Sequence, residues 1–135
     1  MKIIRTLLPG LIMTFMFTLI SCGDSSAQSS NWERISSAEF KKMLDEQDYQ
    51  LVDVRTPSEY NAGKIGNAAL MNVLDGSFSK NIEQLDKSVP VMVYCRSGNR
   101  SQKAAQKLIS AGFTKVYELK TGIRGWSSAG YDIRN

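Results

Sequence analysis

Cysteine is the residue type in this sequence whose surroundings most clearly indicate chemistry. The 135 residues include two cysteines, Cys22 and Cys95, and no histidine. Without an imidazole, hydrolases that use a histidine base, histidine-ligated zinc sites and histidine phosphorelays are excluded. Cys95 directly follows Val91-Met-Val-Tyr94, an apolar run typical of a central strand that is covered on both faces. We therefore expect any reaction to depend on the Cys95 sulfur.

The segment after Cys95 predicts an anion-binding loop. It reads Arg96-Ser97-Gly98-Asn99-Arg100-Ser101 and leads into an apolar helical pattern that ends at Gly112. Ligands bind at the carboxyl edge of a parallel sheet, where the free N–H groups of a loop and a helix start can converge on an anion. Together with Arg96 and Arg100, these groups favour a Cys95 thiolate. The alternative is an unreactive core thiol, since free cysteine is often buried.

Short apolar runs alternate with helical patterns from residue 32 onward, which is typical of strand–helix units and a parallel sheet. We predict strands at 32–35, 51–54, 68–73 and 91–94. Helices are predicted around 40–44, after Thr56, around 82–85 and before Gly112. The pairs Ser36/Glu39 and Thr56/Glu59 have the spacing of capping boxes, which fixes the starts of the first two helices.

The first residues have the pattern of an export signal. Lys2 and Arg5 precede an apolar stretch over 7–20, which is shorter than the roughly 20 residues that span a bilayer. The stretch ends in Leu19-Ile20-Ser21-Cys22, which resembles the lipobox of bacterial lipoproteins. We predict a lipoprotein signal peptide over 1–21, a flexible tether over 22–31 and one domain over 32–135. An ordinary secretory leader with an incidental cysteine is the alternative.

This interpretation also bears on partners and location. We expect an exported protein that is held at a membrane by lipid on Cys22 and faces the periplasm, where Cys95 would be the one remaining thiol. The chain has 17 basic and 13 acidic residues, and removing Lys2 and Arg5 leaves 15 against 13. That small excess does not predict a nucleic-acid partner, which needs a clustered basic face.

The loop sequence Cys-Arg-Ser-Gly-Asn-Arg-Ser over 95–101 resembles the active-site loop of the rhodanese family of sulfurtransferases. Leu51-Val-Asp-Val-Arg55, Glu59-Tyr60 and Gly63-Lys-Ile65 are similar to the first signature of that family. The segments 117–119 and 122–126 resemble its C-terminal signature. Two positions depart from the pattern, because Lys64 replaces a usual histidine and Thr121 replaces the first of two glycines.

The resemblance implies an α/β fold of three layers around a central five-stranded parallel sheet. It also implies transfer of sulfane sulfur from a small-molecule donor such as thiosulfate to a thiophilic acceptor, cyanide or a thiol, through a persulfide on Cys95. No metal or organic cofactor is required. The loop from Arg96 to Ser101 would bind the substrate anion. Arg100, whose planar fork matches tetrahedral oxyanions, would hold the loop or meet the donor's sulfonate group.

Asp53 and Arg55 are interpreted as structural support. We expect Asp53 to fix a neighbouring loop and Arg55 to pair with Glu59, four residues further along a helix.

Two other functions use the same kind of scaffold. A phosphatase or arsenate reductase also has a strand, a cysteine loop and an arginine, but with five residues between cysteine and arginine and usually a histidine before the cysteine. Here four residues separate Cys95 from Arg100, and Tyr94 precedes the cysteine. This shorter loop favours sulfur over phosphoryl chemistry. A non-catalytic module that binds a partner or carries sulfur is the second alternative.

Overall fold

The computed structural model describes residues 31–135, and these residues form alternating strands and helices. The strands are β1 (Trp32–Ile35), β2 (Gln50–Asp53), β3 (Ala69–Leu70), β4 (Val91–Tyr94) and β5 (Val116–Leu119). The helices are α1 (Ser37–Glu46), α2 (Pro57–Asn61), α3 (Phe78–Asn81), α4 (Asn99–Ser110) and α5 (Gly122–Ser128), with a 3₁₀ turn at Ile82–Gln84.

All five strands are parallel and lie in the order β1-β5-β4-β2-β3. The strand that precedes Cys95 is therefore the central one, and all four of its residues are buried. Parallel strands need crossover connections, and the helices between them cover both faces of the sheet. The predicted five-stranded parallel sheet is confirmed.

Each face of the sheet has its own apolar core. On one face, α4 contributes Ala104, Ala105 and Leu108, and Phe78 of α3 joins them. On the other face, Phe40 of α1 contacts Trp126 of α5 edge to face, with ring centroids 6.0 Å apart. The sheet between two helical layers gives the predicted three-layer architecture.

Two predicted elements differ from the structure. The strand expected over 68–73 is limited to Ala69–Leu70, because its partner β2 ends at Asp53, opposite Leu70. The helix expected around 82–85 is a short α-helix at Phe78–Asn81 followed by the 3₁₀ turn, which ends before Leu85. The apolar spacing in the sequence does not distinguish an α-helical turn from a 3₁₀ turn.

Helix starts follow the capping residues. Ser36 accepts a hydrogen bond from the Glu39 amide at 3.2 Å. At α2 the box is reciprocal, since Thr56 accepts from the Glu59 amide and Glu59 accepts from the Thr56 amide. These contacts place the Glu59 carboxylate at the first turn of α2, on the side of the cysteine loop.

The predicted signal peptide over 1–21, Cys22 and nearly all of the tether lie outside the described residues. Among residues 31–135, the helices are too short and too polar to cross a membrane.

Candidate active site

Cys95 lies at the carboxyl end of the central strand, in a loop that folds back over its sulfur. The residue is 1% exposed. Its Sγ accepts a hydrogen bond from the Gly98 amide at 3.1 Å and is 3.3 Å from the Ser101 hydroxyl oxygen. The loop is narrow enough for a single sulfur atom to be held by main-chain and side-chain donors together.

These donors decide the protonation of Cys95. Burial disfavours the thiolate, yet hydrogen bonds from the Ser101 side chain and from the amides of Ser101, Ser97 and Gly98 outweigh it, so the pKa of Cys95 is lowered. A lowered pKa increases the thiolate population near neutral pH, and the thiolate is the nucleophilic form of cysteine.

A left-handed glycine allows the loop to close. Gly98 has φ of +92°, and a Cβ atom there would lie 2.2 Å from the carbonyl oxygen of Lys120. Only glycine meets both conditions without strain, since L-residues rarely adopt this backbone conformation and the neighbouring atom is main chain. Gly98 also supplies the amide that contacts Sγ, so the same residue shapes the loop and binds the sulfur.

The start of α5 fixes the other side of the loop. The amides of Ile123 and Arg124 donate to the carbonyl oxygens of Cys95 and Arg96, at 2.9 and 3.1 Å. A Cβ atom on Gly122 would lie 2.4 Å from the Arg96 carbonyl carbon, so the two segments are in direct main-chain contact. The loop carbonyls therefore point to α5, and this leaves loop N–H groups directed at the sulfur.

Arg100 is held by Glu59. Its two terminal nitrogens each donate to one carboxylate oxygen at 2.7 Å, which ties α4 to α2 beside the cysteine loop. The fork of Arg100 is therefore occupied by Glu59, and its two expected roles, holding the loop or meeting the donor's sulfonate group, stay predictions. The expected pairing of Arg55 with Glu59 is wrong, because Glu59 faces α4 and uses both oxygens for Arg100.

Arg55 pairs instead with Asp53, two residues earlier. Asp53 is fully buried, and Arg55 donates to it from Nε at 3.0 Å and from Nη2 at 2.6 Å. Nη2 also donates to the Gly63 carbonyl at 2.6 Å. A buried carboxylate needs a charged partner, and this requirement dominates over the weak preference for an i, i+4 pair on a helix surface. The pair therefore connects the end of β2 to the loop around Gly63, and its role as structural support of the site stays a prediction.

The remaining predicted loop residues lie around the sulfur in different ways. Arg96, Ser97 and Asn99 are exposed at the rim, and Ser101 is buried beneath the sulfur. The structure thus brings the backbone of 97–98 and the Ser101 side chain to Sγ, while the Arg96 side chain stays on the surface.

The two departures from the family pattern both have local partners. Lys64 lies over the Tyr60 ring, with Nζ 4.8 Å from the ring centroid. The Lys64 amide donates to the Arg134 carbonyl oxygen at 2.7 Å. Thr121 bonds to the Ser37 hydroxyl at 3.0 Å. Its side chain occupies the space next to Gly125, where a Cβ atom would lie 2.0 Å from the Thr121 hydroxyl oxygen.

Sequence reasoning missed one buried polar residue, Glu118 of β5. It is fully buried and lies between Arg34 and Ser101, with oxygens 2.7 Å from Arg34 Nε and 2.5 Å from Ser101 Oγ. A carboxylate within the otherwise apolar strand Val116–Leu119 was the available signal, since charged residues are rarely fully buried without a partner.

Comparison with known proteins agrees with this geometry. Residues 36–129 match the Rhodanese-like domain family. The chain belongs to the rhodanese family. It is 34% identical over 97 residues to the thiosulfate sulfurtransferase GlpE of Tolumonas auensis, an alignment that covers 72% of this chain and 90% of the relative. It is also 35% identical over 94 residues to a tRNA uridine(34) hydroxylase of Cytophaga hutchinsonii, covering 67% of this chain and 30% of that protein.

Solved rhodanese structures have the same fold. The rhodanese-like domain from the Anabaena sp Alr3790 protein superimposes with a TM-score of 0.69 at 30% identity, covering 76% of this chain and 78% of that one. A rhodanese-like domain protein from Staphylococcus aureus gives 0.65 at 29% identity, covering 76% and 99%. The family, its fold and a sulfurtransferase type of activity are therefore supported together.

Proposed function

We propose that this rhodanese is a thiosulfate sulfurtransferase that carries sulfur as a persulfide on Cys95. The observation that carries the proposal is the sulfur of Cys95 at the centre of a closed loop, 3.1 Å from the Gly98 amide. The name of the GlpE relatives supports thiosulfate as donor. The acceptor would be cyanide or a thiol.

In the first half-reaction the Cys95 thiolate attacks the outer sulfur of thiosulfate. A bond forms between Cys95 Sγ and that sulfur, the sulfur–sulfur bond of thiosulfate breaks, and its electron pair leaves with sulfite. In the second half-reaction the acceptor attacks the outer sulfur of the persulfide, and Cys95 leaves as a thiolate. The loop N–H groups stabilise negative charge on sulfur in both half-reactions. No metal or organic cofactor takes part in this scheme.

Arg96 and Arg124 would meet the donor's sulfonate group. Both are exposed beside the loop, and the Arg124 amide donates to the Arg96 carbonyl, so their backbones are adjacent. Arg100 is engaged by Glu59 and would act by fixing the loop. The proposed anion loop is completed by Ser97, Gly98, Asn99 and Ser101. Asp53, at the end of β2, and Arg55, two residues further on, would support it.

The test is the intact mass of the protein after incubation with thiosulfate. We expect the gain of one sulfur atom, its loss on addition of cyanide, and continuous thiocyanate formation when both reagents are present. Cys95→Ser removes the nucleophile at nearly constant size and should show none of the three. Uptake of sulfur without turnover would indicate a carrier, and no uptake would refute the proposed donor.

Phosphoryl chemistry is the competing function on this scaffold. A loop with four residues between Cys95 and Arg100 offers space for one sulfur atom, whereas a phosphoryl group brings three further oxygens that need donors within about 3 Å. Sulfite also leaves without protonation, while an alkoxide leaving group needs an acid. We expect essentially no hydrolysis of aryl phosphates. Robust Cys95-dependent phosphatase turnover would reverse the assignment.

We also propose that the protein is exported and anchored to a membrane by lipid on Cys22, facing the periplasm, with residues 22–31 as the tether of the domain over 32–135. The lipobox-like sequence at 19–22, directly after the apolar stretch, supports this. The anchor would concentrate the rhodanese domain at the membrane surface, and it leaves Cys95 as the reactive thiol of the mature chain.

A further inference from the structure

A buried carboxylate lies directly behind the cysteine loop. Glu118 of β5 is fully buried, with Arg34 Nε of β1 2.7 Å from one oxygen and Ser101 Oγ of α4 2.5 Å from the other. Burying a carboxylate is unfavourable even when it is paired, and a sheet interior is usually filled with apolar side chains. The salt bridge of Arg34 with Glu118, which connects β1 to β5, does not by itself explain why Glu118 also contacts Ser101.

Ser101 connects this carboxylate to the reactive sulfur. Its hydroxyl oxygen is 2.5 Å from Glu118 and 3.3 Å from Cys95 Sγ. A serine hydroxyl has one proton to donate, so it cannot donate to both groups at once. When Cys95 is a thiol, Ser101 donates to Glu118 and accepts the S–H proton. When Cys95 is a thiolate, Ser101 donates to the sulfur, and Glu118 needs a proton of its own to keep the contact.

We propose that Glu118 accepts the proton of Cys95 through Ser101, and so supplies the base in a chain that has no histidine. The S–H bond of Cys95 breaks and its proton moves to Ser101 Oγ, while the Ser101 proton moves to Glu118 Oε1. The products are a thiolate, a serine hydroxyl that donates to it, and a neutral carboxylic acid. No proton leaves the group and its net charge is unchanged. The inference rests on the proposed function only for Cys95 as the nucleophile.

The surroundings of Glu118 oppose and favour this transfer at the same time. Arg34, from β1, stabilises the ionised carboxylate and holds the proton on sulfur. On the other side of Ser101, the Gly98 amide, in the loop between β4 and α4, stabilises the thiolate and favours transfer of the proton to Glu118. Val93, the neighbour of Glu118 on β4, is apolar and buried. Glu118 and Cys95 thus each have a partner that stabilises the charged form, and Ser101 lies between them.

The test is the pH dependence of Cys95 alkylation by iodoacetamide in the full chain, followed by mass spectrometry of the peptide that contains Cys95. Two coupled groups that share a proton titrate in two steps. The wild-type rate should rise, stay level over an interval in which the thiolate fraction is fixed by internal transfer, and rise again. Glu118→Gln should give a single rise, with the rate falling about tenfold for each pH unit below it.

Two further variants keep the test decisive if Glu118→Gln folds poorly. Ser101→Ala removes the hydroxyl that connects Cys95 to Glu118 but leaves the Arg34–Glu118 pair. Its alkylation profile should therefore also lack the pH interval of constant rate. Arg34→Gln leaves the connection but removes the cation that opposes transfer, so the level rate should increase severalfold. Glu33→Gln is the control, because Glu33 is an exposed carboxylate on the same strand as Arg34 that pairs with Lys115.

The proposal is overturned if the wild-type profile has a single rise, or if Glu118→Gln has the wild-type profile. An infrared band of a protonated carboxyl group that persists through the level interval, disappears across the second rise and is absent in Glu118→Gln provides an independent readout. Both measurements report on the thiolate and not on sulfur transfer. A protein that passes them but takes no sulfur from thiosulfate would refute the proposed function while leaving this inference intact.

Discussion

Replacing Glu59 with glutamine tests how the cysteine loop is held. The Glu59 carboxylate accepts two bonds from Arg100 at 2.7 Å and two from Thr56, at 3.0 Å from the hydroxyl and 3.1 Å from the amide. Glu59→Gln keeps the size of the side chain and removes its charge. The amide nitrogen of the glutamine then faces one of the two donating nitrogens of Arg100, so one of the two hydrogen bonds is lost.

The structure gives the size of the expected effect. Hydrogen bonds from Arg100, followed by those from Thr56, outweigh burial and lower the pKa of Glu59 from 4.5 to about 2. At about 1.4 kcal/mol per pKa unit, this corresponds to roughly 3 kcal/mol of folding free energy. The side chains of Arg100 and Glu59 are 23% and 27% exposed, so solvent screening reduces the figure to about 1–2 kcal/mol.

The sign of the pH dependence follows from the direction of the shift. A carboxylate whose pKa is lowered on folding stabilises the protein fully above 4.5, and this contribution is lost as the pH falls toward 2. Denaturant unfolding followed by circular dichroism should therefore show Glu59→Gln about 1–2 kcal/mol less stable at pH 7, with the difference shrinking between pH 4.5 and 2.

Glu39→Gln is the matched control. Glu39 occupies the same capping position in α1 that Glu59 occupies in α2, and it is exposed. Its replacement should change stability by a few tenths of a kcal/mol, the contribution of a charge at a helix start. A Glu59→Gln difference that equals this control, or that is independent of pH between 5 and 2, would refute the reasoning.

Three further outcomes are expected. Arg100→Lys keeps the charge but loses the bidentate fork, so thiosulfate:cyanide sulfurtransferase assays should show a rate loss larger than for a surface charge change such as Lys103→Gln. Gly98→Ala should lower the free energy of unfolding by at least about 1 kcal/mol because of its left-handed backbone, and should raise the pKa of Cys95 in alkylation experiments by displacing the amide from Sγ. Cys22→Ala should yield unprocessed or lipid-free protein, and lipid-free wild-type protein from cells would contradict the anchor.

The central part of the fold could be predicted from sequence because several signals agree there. The run Val91–Tyr94 is apolar at every position, the loop contains a glycine, and α4 has a regular apolar face. Where local propensity, periodicity and loop residues favour the same structure, tertiary contacts do not change the outcome. The edge strand β3 lacked this agreement. Of the six residues expected in it, two form sheet, because its partner β2 ends at Asp53, opposite Leu70.

The ion pairs around the site were harder to predict, since they depend on burial and not on spacing. Arg55 and Glu59 have the spacing of a helical pair, yet Arg55 lies before α2 and its side chain is 6% exposed. Because Arg55 and Asp53 are both buried, their pairing avoids two unpaired charges inside the protein. Glu59 is then available to Arg100, 41 positions along the chain, a contact that no local rule contains.

Burial also determines the contacts of Glu118, which is why this residue is informative. In a strand buried on both faces, a carboxylate is retained only where other groups stabilise it, so its presence in Val116–Leu119 indicates polar contacts inside the fold. The sequence does not identify these contacts, because Arg34 and Ser101 lie 84 and 17 positions away. The parallel order of β1, β5 and β4 brings them together: β1 places Arg34 on one side of Glu118, and β4 with its loop and α4 places Ser101 and Cys95 on the other. A charged residue in a buried strand, next to a strand that ends in a nucleophile, therefore indicates polar contacts behind that nucleophile.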